Sequence, residues 1–303
     1  MPPFDAIIIG GSFAGLSAAL QIARARRPVL VIDAGRPRNR FAAASHGFFT
    51  QDGSNPLAMI AAAREQLLRY PNARLIEGEA TAVTGGDGDF AVTTNAGDVF
   101  HARKLVLAYG VSDRLPDVPG LAERWGKTVL HCPYCHGFEF AGRRLAVLQT
   151  HPMASHQALL VSDWGPLTLL LNGGAMPDAE TAAKLAARGV VIEPAAVTGL
   201  RGEGEALDAA LLADGRALPV DALYVGPDPH HNSDLAERLG CTMDDTPLGP
   251  VIRTDERKLT TVAGVFAAGD IARAPHNATF ASADGVAAGV FLHQSLVFEP
   301  LAA

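Results

Sequence analysis

Cysteine is scarce in this chain: three in 303 residues, Cys132, Cys135 and Cys241. So few leave no disulfide framework to build a fold on. A surplus of positive charge is missing too, with 25 Lys and Arg against 32 Asp and Glu, a net charge of −7. Nothing in that balance points to nucleic acid or to an anionic membrane. No run reaches the roughly 18 consecutive apolar residues that a membrane span needs. The opening "MPPFDAIIIGGSFAGLSAAL" is apolar, but it lacks a basic n-region and glycines interrupt it, so it reads as a first strand. The expected compartment is therefore the cytoplasm, where a cysteine pair is more often catalytic, redox-sensing or metal-binding than structural. What remains is a composition of 48% hydrophobic and 19% charged residues, that of a globular protein long enough for two domains.

Two of the three cysteines fall in "TVLHCPYCHGFEFAG", as C-x-x-C followed at once by His136. Such a string can anchor a haem, supply half of a zinc site or act as a redox dithiol. Zinc needs further ligands, and no second C-x-x-C or H-x-x-x-H is present. Haem attachment fits poorly with a chain that shows no export signal and a motif that sits between two nucleotide-type segments. No metal is expected. Cys241, alone in "RLGCTMDD", reads as an ordinary thiol.

"FDAIIIGGSFAGLSAALQIARARRPVLVIDAG" predicts a strand over Phe4 to Ile9, a turn over Gly10 to Gly15, a helix to about Arg26 and a second strand over Val29 to Ile32. Gly10 permits the tight turn, and Gly15 lets helix and strand pack closely. The helix N-terminus faces a pyrophosphate, and Asp33 accepts from a ribose. Ser12 replaces the middle glycine of G-x-G-x-x-G.

The frame repeats after the cysteines, in "RRLAVLQTHPMASHQALLVSDWGPLTLLLNGG": strand Leu145 to Leu148, turn Gln149 to Ala154, a helix through Asp163 and strand Leu167 to Leu171. Gly10 to Asp33 and Gln149 to Asn172 both span 23 positions. Gln149, His151 and Ala154 stand where Gly10, Ser12 and Gly15 stood. The second unit keeps a dinucleotide-binding outline without its phosphate chemistry, because side chains at 149 and 151 crowd a pyrophosphate that needs close backbone approach. No arginine follows the second strand to hold a 2′-phosphate.

"RLIEGEATAV", "FAVTTN" and "DVFHARKLVLAYG" predict an antiparallel set and a return strand, and "ALDAALLADGRALPVDALYVG" a hairpin and a strand. "TVAGVFAAGD" predicts a buried strand ending at Gly269-Asp270, with a helix from about Ala278 behind it. The fold class is α/β: two Rossmann-like domains, the second inserted into the first. The first covers 1–116 and 246–303, and the second, covering 117–245, carries the C-x-x-C.

The N-terminal glycine turn, the C-x-x-C before a second Rossmann-like unit and the late "GVFAAGD" together resemble the low-molecular-weight thioredoxin reductases. The likeness covers nearly the whole chain. It implies FAD, with Gly10, Ser12, Gly15, Asp33, Gly269 and Asp270 among its contacts. Asn39, Arg40, His46, Gln51 and Asp52 fall where that family lines the flavin and adenine site, and Ala278 where its C-terminal helix begins. Two departures stand out: C-P-Y-C-H replaces C-A-T-C-D, and the NADPH fingerprint is gone. The combination is closer to the FAD-dependent dithiol oxidases that close disulfides in gliotoxin-, holomycin- and romidepsin-type products.

That resemblance implies catalytic roles for Cys132, Cys135 and His136. Cys135 is then nearest the flavin, Cys132 exchanges with a small-molecule dithiol, and His136 takes protons from substrate thiols. Electrons reach O2, giving H2O2, in a homodimer. His276, His230 and His231 are weaker candidates, and Tyr134 and Phe138 border the cysteines. Two other readings stay open: a thioredoxin reductase-like enzyme drawing on NADPH bound atypically or on a ferredoxin-type donor, and a non-enzymatic flavin redox sensor.

Overall fold

A computed structural model describes residues 4–298; residues 299–303, the end of the apolar C-terminal stretch, lie outside them. The chain opens with β1 (Phe4–Ile9), α1 (Phe13–Arg24) and β2 (Val29–Asp33), followed by α2 (Pro56–Leu68) and β3 (Ala73–Glu77). Next come β4 (Ala80–Gly86), β5 (Asp89–Thr94), β6 (Val99–Leu107) and β7 (Val111–Arg114). The cysteine segment holds β8 (Val129–Leu130) and the single turn α3 (Pro133–His136). After it run β9 (Leu145–Leu148), α4 (Ala154–Val161), β10 (Leu167–Leu170), α5 (Ala179–Ala187) and β11 (Val191–Glu193). β12 (Val197–Arg201), β13 (Ala209–Leu212), β14 (Ala217–Pro219) and β15 (Ala222–Val225) follow. The chain closes with β16 (Asp228–His231), α6 (Leu235–Arg238), β17 (Met243–Thr246), β18 (Gly249–Ile252), β19 (Val265–Ala267) and α7 (Ala278–Phe298).

The chain divides into two units, the first made of residues up to 40, 56–112 and 229 onward, the second of 41–55 and 113–228. The first unit is built on a sheet of order β3-β2-β1-β6-β5-β4. β6 shares one edge between two partners. Its first half pairs antiparallel with β5, Val99 opposite Thr93, and its second half pairs parallel with β19, Leu107 opposite Ala267. β3 runs parallel to β2, so "RLIE" belongs to the parallel part and only β4, β5 and β6 form the antiparallel set. Alternation decides the two cores: Ala6 and Ile8 face α1, α2 and α7, while Ile7 and Ile9 face Leu235, Ala236 and Ile252. α7 packs on α1 through glycine, since a Cβ on Gly285 would stand 2.0 Å from the Ala14 carbonyl oxygen.

The second unit holds a parallel sheet of order β11-β10-β9-β15-β8 and a separate antiparallel sheet β12-β13-β14. The central strands β9 and β15 are fully buried apolar runs, as strands covered on both faces require.

Two boundaries differ from expectation. The second cut falls between Asp228 and Pro229 rather than near 246, because Leu235, Ala236 and Cys241 pack into the core beside Ile7 and Leu105. The segment 41–55 groups with the second unit, where Phe41 lies against Gly126 and His46 against Glu139. Among the described residues no helix is long and apolar enough to cross a membrane.

Candidate functional site

In the first unit, Gly10 takes φ +110 with its Cα against Ala108, where a Cβ would stand 2.2 Å from the carbonyl oxygen. Only glycine serves there. At Gly15 a Cβ would stand 1.8 Å from the Gly10 carbonyl oxygen, so the first turn of α1 lies on the strand end itself. Ser12 precedes α1 in extended conformation and its hydroxyl makes no capping bond, which leaves that helix end to an anion. Asp33, buried at the end of β2, accepts from Gly11 N at 3.0 Å and pairs with Arg64. Beside it opens a cleft of about 350 Å³ lined by Asp33, Arg36, Glu77 and Asn95 among others. These features fit a dinucleotide: a bare helix end for the pyrophosphate, a buried acid for a ribose and a cleft beyond it.

At the other strand end Gly269, with φ +82, sits against Ala14, a Cβ there being 3.0 Å from the alanine methyl. Asp270 accepts from Arg38 at 3.0 Å, and the same guanidinium nitrogen lies 2.6 Å from His276 Nδ1. Asn39 and Arg40 stand in the short turn that carries Arg38, with Arg40 bonded to the Pro37 carbonyl. Ala278 opens α7, but Asn277 Oδ1 already accepts from Thr279 N and Phe280 N, so a side chain takes two of that helix's free N–H groups. Nothing in the sequence marks Arg38 or Arg64. Arginines have no motif spacing, and both reach their carboxylates across the fold.

In the second unit the chain leaves β8, bends at His131 and enters α3 with Cys132 before the first turn and Pro133 at its first position. Cys135 N and His136 N both donate to the Cys132 carbonyl, at 3.2 and 3.3 Å, so one turn holds the two sulfur-bearing residues on neighbouring positions. His136 is half-buried, and burial lowers its pKa against the opposing pull of Glu139. Its ring meets that of His46 edge-on, with centroids 6.1 Å apart. His46 in turn stands 3.5 Å from Glu139 Oε1 and 3.5 Å from Asp52 Oδ1. His46, expected along the cofactor, thus has described contacts with His136 and Glu139 of the dithiol segment, while Asp52 stands by His46 and accepts from Gly47 N. Gln51 is exposed and accepts from Ser54. Tyr134 and Phe138 are not core: they are 71% and 84% exposed, and Phe49 is 86% exposed.

The repeated frame is filled rather than empty. His151 lies over the end of β15, where a Cβ on Gly226 would stand 1.7 Å from the imidazole Nε2. Its Nδ1 accepts from Met153 N at 3.1 Å, and burial lowers its pKa. Gln149 folds over Gly174, its amide nitrogen 2.8 Å from where a Cβ would be. Asn172, at the place of Asp33, accepts from Val197 N instead. His231 bonds the Pro250 carbonyl, and Cys241 is a buried thiol raised in pKa by that burial. Among the described residues no three His, Cys, Asp or Glu side chains gather as a metal site.

Residues 4–161 and 168–285 match the model of a protein family described as pyridine nucleotide-disulphide oxidoreductase. Thioredoxin reductase tcpT of Claviceps purpurea is 35% identical, over 88% of this chain and 86% of its own. Thioredoxin reductase sirT of Leptosphaeria maculans is 33% identical, over 94% and 92%. An oxidoreductase from Agrobacterium tumefaciens superposes with a TM-score of 0.94 at 46% identity, over 98% of this chain and all of that one. The crystal structure of HlmI superposes with a TM-score of 0.91 at 36% identity, over 97% and 93%.

Proposed function

Since the chain belongs to the pyridine nucleotide-disulphide oxidoreductase family and is a thioredoxin reductase-like enzyme, we propose that it is an FAD-dependent dithiol oxidase. Its net reaction takes a small-molecule dithiol and O2 to a disulfide and H2O2. The observation that carries this reading is His151 seated over the strand ends, with Gln149 beside it, in the crevice where doubly wound folds take a dinucleotide. A nicotinamide donor has no place to lay its pyrophosphate, whereas the first frame keeps the outer glycines, the uncapped helix end and the buried acid that such a ligand uses.

Gly10, Ser12, Gly15 and Asp33 would hold the cofactor's phosphates and ribose. Asn39, Arg40, Gly269, Asp270 and Ala278 would meet its other end. When bound, FAD supplies a two-electron carrier between the Cys132/Cys135 pair and oxygen. The chain's own residues do the rest. His136, kept neutral by burial, takes the proton of a substrate thiol, and His46 with Asp52 and Glu139 offers that proton a way out. The substrate thiolate attacks Cys132 of the enzyme disulfide, and Cys135 leaves with the electron pair. The second substrate thiolate then closes the product disulfide and releases Cys132. Exposed Tyr134, Phe138 and Phe49 give an apolar dithiol surfaces to lie against.

A homodimer belongs to this reading, supported by Val286 and Val297, which α7 leaves 39% and 51% exposed; light scattering checks it. The names of the relatives favour a second reading, a reductase fed by NADPH, against which the filled crevice counts. The test of the first is turnover in air with a small dithiol: one H2O2 per disulfide formed, by a yellow protein. A colourless protein that takes up no FAD refutes it, and flavin bleaching by the dithiol without turnover in air points to a redox sensor.

A further inference from the structure

On the strand beside the segment that leads into the dithiol lies a polar atom that the chemistry above does not use. Tyr224, the third residue of β15, is wholly buried, and its hydroxyl has no hydrogen-bond partner among the described residues. Such a group is rare because it gives up water for nothing, and phenylalanine would fill the same volume without that loss.

Its place in the fold is defined by the parallel pairing of β15 with β8, which sets Tyr224 level with Leu130. Both belong to one core cluster with Val147, Ala154 and Ala158. Two residues beyond Leu130 comes Cys132. The crossing between them is pinned on both sides: His131 Nδ1 lies 3.3 Å from the Val225 carbonyl, and Gln157 Nε2 donates to the His131 carbonyl at 2.9 Å. Burial first, then the charges of Cys132, Glu139 and Cys135, keep the phenol protonated far above neutral pH. It is a buried donor on the strand that pairs with the segment leading into Cys132.

We infer that the Tyr224 hydroxyl is a donor waiting for the Cys132 thiolate, and that it favours the reduced pair. A thiol or disulfide sulfur accepts weakly, whereas a thiolate accepts strongly, so the bond forms only when Cys132 carries charge. That happens as a mixed disulfide resolves. The second substrate thiolate attacks the substrate sulfur, the new S–S bond forms, the bond to Cys132 breaks, and Cys132 departs with the electron pair. The phenol keeps its proton throughout. A leaving thiolate departs faster as its basicity falls. This kinetic consequence rests on the dithiol-oxidase reading; the redox equilibrium of the pair does not. The other titratable groups that face the pair, Glu139, His136 and His131, are untouched when the phenol oxygen is removed.

Tyr224→Phe tests it. The holoenzyme is equilibrated in dithiothreitol redox buffers at fixed pH, quenched in acid and alkylated, and the Cys132/Cys135 peptide is weighed. The couple is enzyme disulfide plus dithiothreitol giving one enzyme thiolate, one enzyme thiol, oxidised dithiothreitol and a proton. A hydrogen bond to a charged group is worth about tenfold or more. The variant should favour the disulfide by that factor, a midpoint about 30 mV more negative for two electrons. Its melting temperature should equal or exceed that of the native protein, because no bond is lost. A midpoint within twofold of the native equilibrium overturns the inference. So does a melting temperature several degrees lower, which would show the hydroxyl already bonded. A shifted midpoint in a protein that oxidises no dithiol would leave this inference standing and remove the reading above.

Discussion

NADPH should be a poor electron donor to this protein, and the structure says by how much. In a working dinucleotide crevice the pyrophosphate comes within about 3 Å of backbone N–H groups at the glycine turn. Here the imidazole of His151 lies so close to Gly226 that a single added carbon there would overlap it, and the Gln149 amide fills the neighbouring space at Gly174. Losing one oxyanion contact costs roughly 10²–10³ in rate in sites built on such contacts. Several are missing together, so flavin reduction by NADPH should trail a small dithiol by on the order of a hundredfold or more. The assay is anaerobic stopped-flow bleaching of the flavin with either donor. The double variant Gln149→Gly/His151→Gly separates blockage from lost attraction. Clearing the crevice should recover about tenfold at most, since Asn172, Gly173 and Gly174 supply no cation for a 2′-phosphate. Rapid, saturable reduction of the native protein by micromolar NADPH would refute the reasoning.

Gly15→Ala should lower the melting temperature by roughly 5–10 °C and yield protein that loses its flavin on gel filtration, because the added carbon stands 1.8 Å from backbone that cannot yield; full colour at native stability would count against it. Stability should hold above about pH 6.5 and fall below it. His136, His151 and His231 all have folded pKa values lowered by burial, so the unfolded chain binds those protons first. Asp221, held down to about 2 by Arg144, acts only in far stronger acid. Thermal scans from pH 7.5 to 5 should show a loss of a few degrees, made shallower by His151→Gln with His231→Gln, and a flat profile would contradict the burial of these rings. Cys132→Ser and Cys135→Ser should both abolish dithiol oxidation yet differ in colour. Cys132→Ser, keeping Cys135, should show a long-wavelength charge-transfer band, and the opposite pattern would mean that the two sulfurs are assigned the wrong way round.

Local sequence by itself determined the two strand–turn–helix–strand frames, because glycine spacing and apolar runs act within a few residues of one another. It also determined that the second turn carries Gln149, His151 and Ala154 where the first carries Gly10, Ser12 and Gly15, since that depends only on a six-residue stretch. The C-x-x-C-H turn was legible for the same reason. What the sequence did not hold was anything set by residues meeting across the fold. Only the tertiary structure brought His46 to His136 and Glu139, because 41–55 has no strand of its own and takes its neighbours from the unit it packs in. Only it set Arg64 on Asp33 and Arg38 between Asp270 and His276, contacts that long flexible side chains make without any spacing rule. The absence of glycines at 149 and 151 was written in the chain; that His151 occupies the crevice was decided by the arrival of Gly226, 75 residues later, at the end of a neighbouring strand.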